Sequence, residues 1–369
     1  MRLFPHPAGT AGQGLGQHVA PPPIVTHWPN VAPLRRHRLA DLYCIAAMNH
    51  PITLRSGLRT ELKGFAYLRE SLKLSVRALL NRRQTGPWLE LLNSHPLFAQ
   101  MLPACPRLVN KIYRDYFSTT LRCADRLDVL RTHYGVVIRE GLAPLVARAA
   151  SGPVELCRLQ ARADLGYRIE LRAGVLLCRE GELVLQLTHG TDLVYSLAFS
   201  FLRDGDGVAI GIGCLQGAPG GLERIRGATR ELHGMRPKNL LMQMARQIGH
   251  DLGCAQLVLV SNRNRVVTSA TRQGKVHADY DTLWEELRAD RRPDGDFNLA
   301  CDALAAPLME EIASNKRSQA RKRHAMLVAA MAATRAQLLR SQRALVPLRL
   351  VPVAAAPERA QAVQVRHLA

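Results

Sequence analysis

Closely spaced cysteine pairs are missing from this chain of 369 residues. The cysteines stand singly, at Cys44, Cys105, Cys123, Cys157, Cys178, Cys214, Cys254 and Cys301. The short spacings that zinc sites and redox dithiols use do not occur. Thiols in apolar surroundings, such as those of Cys178 and Cys214, behave as small hydrophobes. We therefore predict free thiols in a reducing compartment.

Long apolar runs are also missing. No stretch approaches the roughly 18 consecutive apolar residues of a membrane-spanning helix. The first seven residues, MRLFPHP, lack the unbroken apolar segment of a signal peptide. The histidines and carboxylates show no spacing that makes a convincing metal site. These absences predict a soluble cytoplasmic protein with no transmembrane segment and no metal.

Acidic residues are scarce only in the flanks, which carry most of the net charge of +20. Residues 1–90 have 12 Lys and Arg against 4 Asp and Glu, and residues 316–369 have 11 against 1. The middle, residues 91–315, has 27 against 25. Basic flanks attract any polyanion without choosing among them. Because a nucleic-acid reader should be basic on its folded domain, the neutral middle argues against that class for the core.

Composition and periodicity divide the chain into five parts. Residues 1–34 are rich in Gly and Pro and are predicted to be disordered. Residues 35–154 show helical spacing of apolar side chains, and residues 155–315 read as an α/β core. A basic, Ala-rich helix is expected at 316–345, followed by a disordered tail at 346–369.

The fold class follows from a change of period near Glu155. Before it, apolar residues recur at helical spacing, and after it they alternate. The Asp204-Gly205-Asp206-Gly207 turn joins two alternating runs, which is a strong hairpin signal. We predict an α+β protein, in which a helical N-terminal part packs on a mostly antiparallel sheet.

The best-defined local pattern is a helix at 237–252 followed by a buried strand at 257–260. Pro237 suits the first helical turn and Gly253 suits a left-handed stop. Residues 262–265 follow the strand directly. Side chains at that position often face a ligand cleft, and a plain polar loop fits equally well.

The start of this helix is a candidate anion site. A helix N-terminus has unpaired N–H groups and partial positive charge. Gly234 precedes it, Arg236 and Lys238 add cations, and Asn239 is a further donor. We therefore expect these four residues to bind a phosphate or carboxylate. The alternative is that the cations are merely solvated, or pair with acids such as Glu231.

The apolar run VAIGIGCLQG, the segment HGMRPKN and the run LVLVSNRNR together resemble the VirK/YbjX family of proteobacteria. The resemblance covers roughly residues 90–335. It implies a role in virulence-associated or envelope-stress physiology, including tolerance of antimicrobial peptides. It does not imply a reaction, because the central domain of that family has no known function.

The order of elements is similar to the core of GNAT-type acyltransferases. In that superfamily a strand leads into a Gly-containing loop and a helix whose start holds the pyrophosphate of acyl-CoA. The resemblance implies an acyl-CoA or acyl-carrier donor bound at residues 234–239, and an acceptor whose chemistry stays unknown. Two features depart from it. Residues 220–232 form an extra segment before the loop, and the usual Gln/Arg-x-x-Gly-x-Gly/Ala spacing is absent.

Two residues are candidate catalytic groups. His233 is a candidate general base, because imidazole titrates near neutrality; a His that caps a turn fits equally well. Asp279 is available for a polar role if Asp281 or Thr282 caps the helix that contains Trp284.

A second class of function is open on the sequence alone. A non-catalytic regulatory or docking protein would use its basic flanks to bind nucleic acid or anionic membrane, above all through residues 316–323. That stretch is poor for base stacking and adequate for phosphates or headgroups.

Overall fold

The structure is a computed structural model, and it describes residues 51–58, 63–163, 166–267 and 279–343. The tails predicted at 1–34 and 346–369 lie outside these ranges. So does most of the link between residue 267 and the helix that contains Trp284.

The N-terminal part of the described chain is helical. Its helices are α1 Gly64–Leu80, α2 Arg82–Leu92, α3 Pro96–Met101, α4 Cys123–Arg139 and α5 Ala143–Ser151, with 3-10 segments at Leu54–Gly57 and Pro106–Tyr113. Large side chains are fully buried where these helices meet, among them Trp88 and Tyr134. The indole N–H of Trp88 donates to the carbonyl of Val109 at 2.9 Å, which ties α2 to the second 3-10 segment.

A mostly antiparallel sheet follows, in the strand order β1-β2-β3-β4-β5-β6-β8-β7. The strands are β1 Val154–Arg158, β2 Tyr167–Ala173, β3 Leu183–His189, β4 Asp192–Asp204, β5 Gly207–Gly217, β6 Gln256–Leu259, β7 Asp290–Arg291 and β8 Phe297–Ala300. Among the described strands, only β5 and β6 pair in parallel. The predicted α+β class with a mostly antiparallel sheet is confirmed.

Two helices cross from β5 to β6. They are α6 Leu222–Glu231 and α7 Pro237–Asp251. Pro237 occupies the first turn of α7, and Gly253 has a φ of 72° just beyond its end, as the sequence predicted. The apolar stripe of α7 packs on the sheet, with Leu240, Leu241 and Met244 fully buried. The strand predicted at 257–260 is among the most buried parts of the core.

The C-terminal part of the described chain contains α8 Tyr280–Glu286 and the long helix α9 Ser314–Arg343. The α9 helix packs against β1, α5 and α7. Arg335 on α9 forms an ion pair at 2.7 Å with Asp251, which is buried at the end of α7. Within the described ranges, the helices are all too short or too polar to cross a bilayer.

A β-bulge interrupts β5 at Gly213. Ala198 of β4 pairs with Cys214, but its neighbour Phe199 pairs with Ile212, so Gly213 is the extra residue. The carbonyl oxygen of Glu180 lies far inside contact distance of the place where a Cβ of Gly213 would stand. The absence of a side chain at Gly213 therefore lets the turn before β3 lie directly on β5.

We expect Gly213→Ala to lower the free energy of unfolding by about 1–3 kcal/mol, since the methyl group forces the two backbones apart. Chemical denaturation measures this change. Gly135→Ala is the matched control. Gly135 lies in α4 with open space around it, so Ala there should be neutral or stabilising by up to about 1 kcal/mol. Equal stability of Gly213→Ala and wild type would show that the close approach is not rigid.

Candidate functional site

A cation-lined cleft of 620 Å³ lies beside the start of α7. Its lining residues are Tyr195, Leu222, Ile225, Arg226, Thr229, Arg230, Arg236, Pro237 and Lys238. Arg226 pairs with Glu223 at 2.7 Å, and Lys238 pairs with Glu286 of α8 at 2.7 Å. Arg230 and Arg236 form no ion pair with an acid in the described ranges. The cleft therefore has an excess of positive charge.

Side chains, more than backbone amides, supply the donors of this cleft. Pro237 has no N–H, and the Asn239 N–H donates to the carbonyl of Arg236 at 3.0 Å. Among the first three residues of α7, Lys238 alone has a backbone N–H that makes no such hydrogen bond to the preceding turn. The anion site predicted from the helix N-terminus therefore depends mainly on Arg236 and Lys238, with Arg230 added from α6.

The predicted candidates His233 and Gly234 do not line the cleft. His233 has a φ of 53°, and its Nε2 lies 3.2 Å from the carbonyl oxygen of Gln160, just after β1. Gly234 has a φ of 76°, and its missing Cβ would lie 2.8 Å from the amide of Gln319 on α9. Both residues form the left-handed turn after α6, where His233 contacts Gln160 and Gly234 lies against Gln319. The role of His233 as a general base remains a prediction.

Asp279 caps α8, which corrects the expectation that Asp281 or Thr282 does so. Its carboxylate accepts from the N–H of Thr282 at 3.2 Å, from the Thr282 hydroxyl at 2.9 Å and from the Asn262 amide at 2.6 Å. These donors hold the pKa of Asp279 below its usual range, with the Asn262 bond first. Lys238 contacts the other end of α8, about 10 Å away for seven residues of helix. Asp279 is thus separated from the cleft, and its catalytic role remains a prediction.

The pairing of the parallel strands β5 and β6 ends at the C-terminal end of β6. Ile212 pairs with Leu259, and its carbonyl accepts from the N–H of Val260 at 3.1 Å. Strand β5 continues to Gly217, but β6 ends at Leu259. Because the bulge at Gly213 adds one residue, the next N–H on the β6 side of β5 belongs to Leu215. It donates to the hydroxyl of Tyr280 at 2.9 Å.

A buried polar cluster surrounds that hydroxyl. The thiol of Cys214 and the carboxyl of Glu180 lie close by, since each influences the pKa of the other. All three residues are at least nine-tenths buried. The guanidinium of Arg265 lies 4.2 Å from the centre of the Tyr280 ring, so a permanent cation lies beside the cluster. Arg265 is one of the residues that the sequence placed after the buried strand.

Glu180 is the titratable centre of this site. Burial raises its pKa to about 7, although the Cys214 bond and the charges of Arg265 and Arg179 lower it in part. A carboxyl with a pKa near neutrality exchanges a proton at physiological pH and is a good general base. Burial also raises the pKa of Cys214 and of Tyr280 well above their usual ranges. Those two groups therefore stay protonated.

Two elements run between the cleft and the region of the buried carboxyl. Along β5, Cys214 lies near Glu180, and Gly217 pairs with Tyr195 of the cleft. These positions are three residues, or about 10 Å, apart, and they face opposite sides of the sheet. Along α8, Tyr280 accepts from the Leu215 N–H and Glu286 pairs with Lys238.

A second polar cluster fixes the turn that carries Glu180. The Lys111 ammonium and the Glu182 carboxylate form a buried ion pair. The Tyr134 hydroxyl donates to the same carboxylate at 2.6 Å. Burial raises the pKa of Glu182, but Lys111, His133 and Tyr134 outweigh it and hold that pKa below its usual range. Because Glu182 is two residues from Glu180, the pair positions the general-base candidate.

Sequence reasoning missed Glu180, Cys214 and Tyr280. The one local signal is Glu180-Gly181-Glu182, two acids around a glycine directly before an apolar strand. The thiols in the described ranges, Cys214 among them, are free. Groups of His, Cys, Asp and Glu able to hold a metal ion do not occur within the described ranges.

The protein is thus an α+β protein with a cation-lined cleft. It also has a buried carboxyl, that of Glu180, whose pKa is about 7 and which lies near the point where the parallel strands β5 and β6 separate. The chain belongs to the family described as protein of unknown function (DUF535), which matches residues 63–336. The predicted VirK/YbjX relationship is confirmed by its relatives.

Three relatives are uncharacterised proteins. The protein YbjX of Escherichia coli is 28% identical over 69% of this chain and 79% of its own length. A protein of Haemophilus influenzae is 30% identical over 40% of this chain and 49% of its own length. Another protein of the same organism is 22% identical over 70% and 87%.

Solved structures give only a distant likeness. A cAMP-binding acyltransferase from Mycobacterium smegmatis matches 56% of this chain and 65% of its own, at 13% identity and a TM-score of 0.24. A point mutant of that acyltransferase matches 58% and 63%, at 12% identity and the same TM-score. A likeness of this size supports no conclusion on activity.

Proposed function

We propose that this protein is an acyltransferase-like enzyme that binds a phosphate-containing acyl donor and uses Glu180 as its general base. The observation that carries the proposal is the pairing of two features on one strand. A carboxyl with a pKa of about 7 lies at the bulge of β5, and a cation-lined cleft lies about 10 Å along the same strand, on the other face of the sheet. A donor with a charged end, a long flexible arm and a reactive end could reach both by passing the edge of β5 where β6 has ended.

The donor's phosphate groups would bind between α6 and α7. Arg230 and Arg236 are the cations of the cleft without an ion pair to a described acid, and Lys238 adds a third charge beside them. Charge-assisted hydrogen bonds to phosphate contribute about 1.5–3 kcal/mol each. An acyl-CoA or an acylated carrier protein has the required phosphates.

In the proposed reaction, Glu180 accepts the proton of a hydroxyl or amine acceptor as that atom attacks the thioester carbonyl. The new C–O or C–N bond forms, the C–S bond breaks, and the donor leaves as a thiolate. The proton then passes from Glu180 to the thiolate or to solvent. The ion pair of Lys111 with Glu182 would hold the turn that carries Glu180.

The cellular setting is part of the same proposal. The family resemblance supports a role in envelope stress, virulence or antimicrobial-peptide tolerance. The singly placed thiols support a cytoplasmic location. The acceptor is identified neither by the family resemblance nor by the thiols.

Replacing Arg236 and Lys238 together with Ala is expected to weaken donor binding by a factor of about 100 or more, since two charged contacts to phosphate are lost. Stability should change by no more than about 1 kcal/mol, because Arg236 is exposed and Lys238 loses one partly exposed ion pair. Calorimetric titration with CoA and short acyl-CoAs at fixed salt measures the binding. Arg131→Ala with Arg148→Ala is the matched control, since both are exposed helical arginines outside the cleft.

Two results would decide against this donor site. Absence of wild-type binding at millimolar donor would remove the enzyme proposal. Equal binding by wild type and the Arg236/Lys238 variant would place the donor elsewhere.

A docking role for the basic flank is the second candidate. Residues 316–323 form the first turns of α9, where Lys316, Arg321 and Lys322 are exposed. An exposed cationic helix start suits phosphate backbones or anionic headgroups. If the wild type binds no donor but binds such polyanions, this candidate takes precedence.

A further inference from the structure

Helix α1 has an apolar face that points away from the protein. Leu74 and Ala78 are its buried residues and attach it to the fold. On the opposite side, a stripe of large apolar side chains follows the helical repeat and remains largely exposed. These residues are Phe65, Leu68, Leu72, Val76, Leu79 and Leu80, with exposed fractions from 47% to 79%. A continuous exposed apolar stripe of this kind marks an interaction surface.

Basic residues border this stripe on one side. Arg69, Lys73 and Arg77 follow each other at four-residue spacing along α1, and Glu70 is the acid among them. Glu70 contacts Lys73 at 3.1 Å and Arg69 at 3.5 Å, so its charge is already balanced. The border therefore keeps a net positive charge. An apolar stripe beside a basic border is typical of helices that lie in a membrane interface.

A basic pocket of 250 Å³ opens between this border and the body of the protein. Its cations are Arg69 and Arg77 from α1 and Arg107 and Arg114 from the neighbouring 3-10 segment and its end. Arg77, Arg107 and Arg114 form no ion pair with a described acid. Burial lowers the pKa of Arg114, and the charges of Arg107, Arg179 and Arg77 lower it further, which shows how closely these cations are grouped. Glu70 also lines the pocket, but four cations against one acid leave it positive and suited to an anion.

We propose that α1 docks on an anionic phospholipid bilayer, with its apolar stripe in the acyl-chain boundary and a lipid phosphate in the adjacent arginine pocket. The pocket lies on the side of α1 between the stripe and the buried face, at the depth where headgroups lie when a helix rests in the interface. Stripe and pocket thus match the apolar and the phosphate layers of one bilayer leaflet.

Charge disfavours the other occupants of the stripe. Two copies packed stripe to stripe in antiparallel orientation would bring the basic borders of both helices together. The two long chain segments outside the described ranges are basic overall; residues 1–50 have 4 Lys and Arg against 1 acid, and residues 344–369 have 3 against 1. An anionic leaflet complements the border, whereas these segments do not.

The test uses the full chain and vesicles of phosphatidylcholine with phosphatidylglycerol, in a sedimentation assay. Wild type is expected to bind, and Leu68→Gln with Leu72→Gln to weaken binding by about 100-fold, or about tenfold for each apolar side chain removed from the membrane. The matched control is Leu308→Gln with Val328→Gln, two exposed apolar residues outside α1 that should leave binding unchanged. Gln keeps the helix propensity of Leu, so the helix itself is preserved.

A second pair of variants tests the pocket. Arg77→Gln with Arg107→Gln should weaken binding to the anionic vesicles by about fivefold per residue and leave the weak binding to pure phosphatidylcholine vesicles unchanged. Arg131→Gln with Arg148→Gln controls for net charge. Millimolar inorganic phosphate at constant ionic strength should not displace the protein. Displacement would assign the pocket to a free phosphate and overturn the lipid assignment.

Other results would also overturn the proposal. One is a wild type that does not bind the vesicles. Another is a wild-type dimer in solution that the Leu68/Leu72 variant abolishes, which would assign the stripe to a second copy. A third is a loss of several degrees in Tm in that variant without any vesicle binding by wild type. That loss would mean that another segment of the chain covers the stripe.

Discussion

Lys111→Met is expected to lower the free energy of unfolding by about 3–5 kcal/mol, the usual cost of removing one partner from a buried ion pair. Lys111 and Glu182 are 7% and 1% exposed, so the remaining carboxylate would lie in the core without a cation. The pKa of Glu182 in the variant should rise above its usual range. The variant should therefore lose further stability as pH increases from the usual carboxyl pKa up to that raised value. Urea denaturation at several pH values measures both effects.

The double variant Lys111→Met with Glu182→Gln is the control. It removes both charges and keeps an acceptor for the Tyr134 hydroxyl, so it should be more stable than Lys111→Met alone. If the single and the double variant are equally stable, the two charges are not coupled. The account of how the Glu180 turn is held would then be wrong.

Glu180→Gln is expected to reduce the rate of acyl transfer by a factor of about 10²–10⁴, because the amide accepts no proton from the acceptor. In wild type the rate should rise with pH through about 7, as Glu180 becomes ionised. The release of CoA thiol from acyl-CoA, with and without candidate acceptors, measures this profile. Glu180→Asp, which keeps a carboxyl at a shorter reach, should retain part of the rate.

As pH rises, the contribution of Glu180 to the free energy of unfolding should fall while the reaction rate rises. The pKa of Glu180 is raised from 4.5 to about 7, so its carboxyl favours folding less as pH rises between these values. Above pH 7 the ionised group costs up to about 3 kcal/mol. Glu180→Gln should therefore be more stable than wild type at pH 8 while it is less active, as is common for residues kept for function.

His233→Asn separates the two general-base assignments. Asn tolerates the left-handed backbone of His233 and has no imidazole. If His233→Asn abolishes turnover and Glu180→Gln spares it, the original sequence assignment of His233 is right and the assignment of Glu180 is wrong.

Sequence reasoning succeeded where the signal is local. The start of α7 is marked by Pro237, its end by Gly253, and β6 by an unbroken apolar run, so each could be read within a few residues. Arg236 and Lys238 were predicted by the same route, because a helix start has known electrostatics, and both line the cleft; their role in binding stays a prediction.

The missed part of the site depends on contacts between distant elements. Glu180, Cys214 and Tyr280 come from a turn, a strand and a helix, and each is unremarkable alone. The raised pKa of Glu180 arises from burial, which needs the bulge at Gly213 and thus the register of β4 with β5. The capping of α8 was misread for a similar reason. Asp279, Asp281 and Thr282 all suit a cap, and Asn262 contacts two of them across the fold, Asp279 through its side chain and Asp281 through its backbone N–H.

The parallel pairing of β5 with β6 also has a consequence for how the chain assembles. Strands β2 to β5 are connected by turns, so they pair through contacts that are close in sequence. Pairing Ile210 with Leu257 must wait until the crossover of two helices has closed, and long-range closures of this kind are slow. We therefore expect a nucleus in the early hairpins, with β6, β8 and α8 added last. The Leu215 N–H lies where β5 and β6 separate, so the end of β5 with the proposed donor site forms only in the final step of folding.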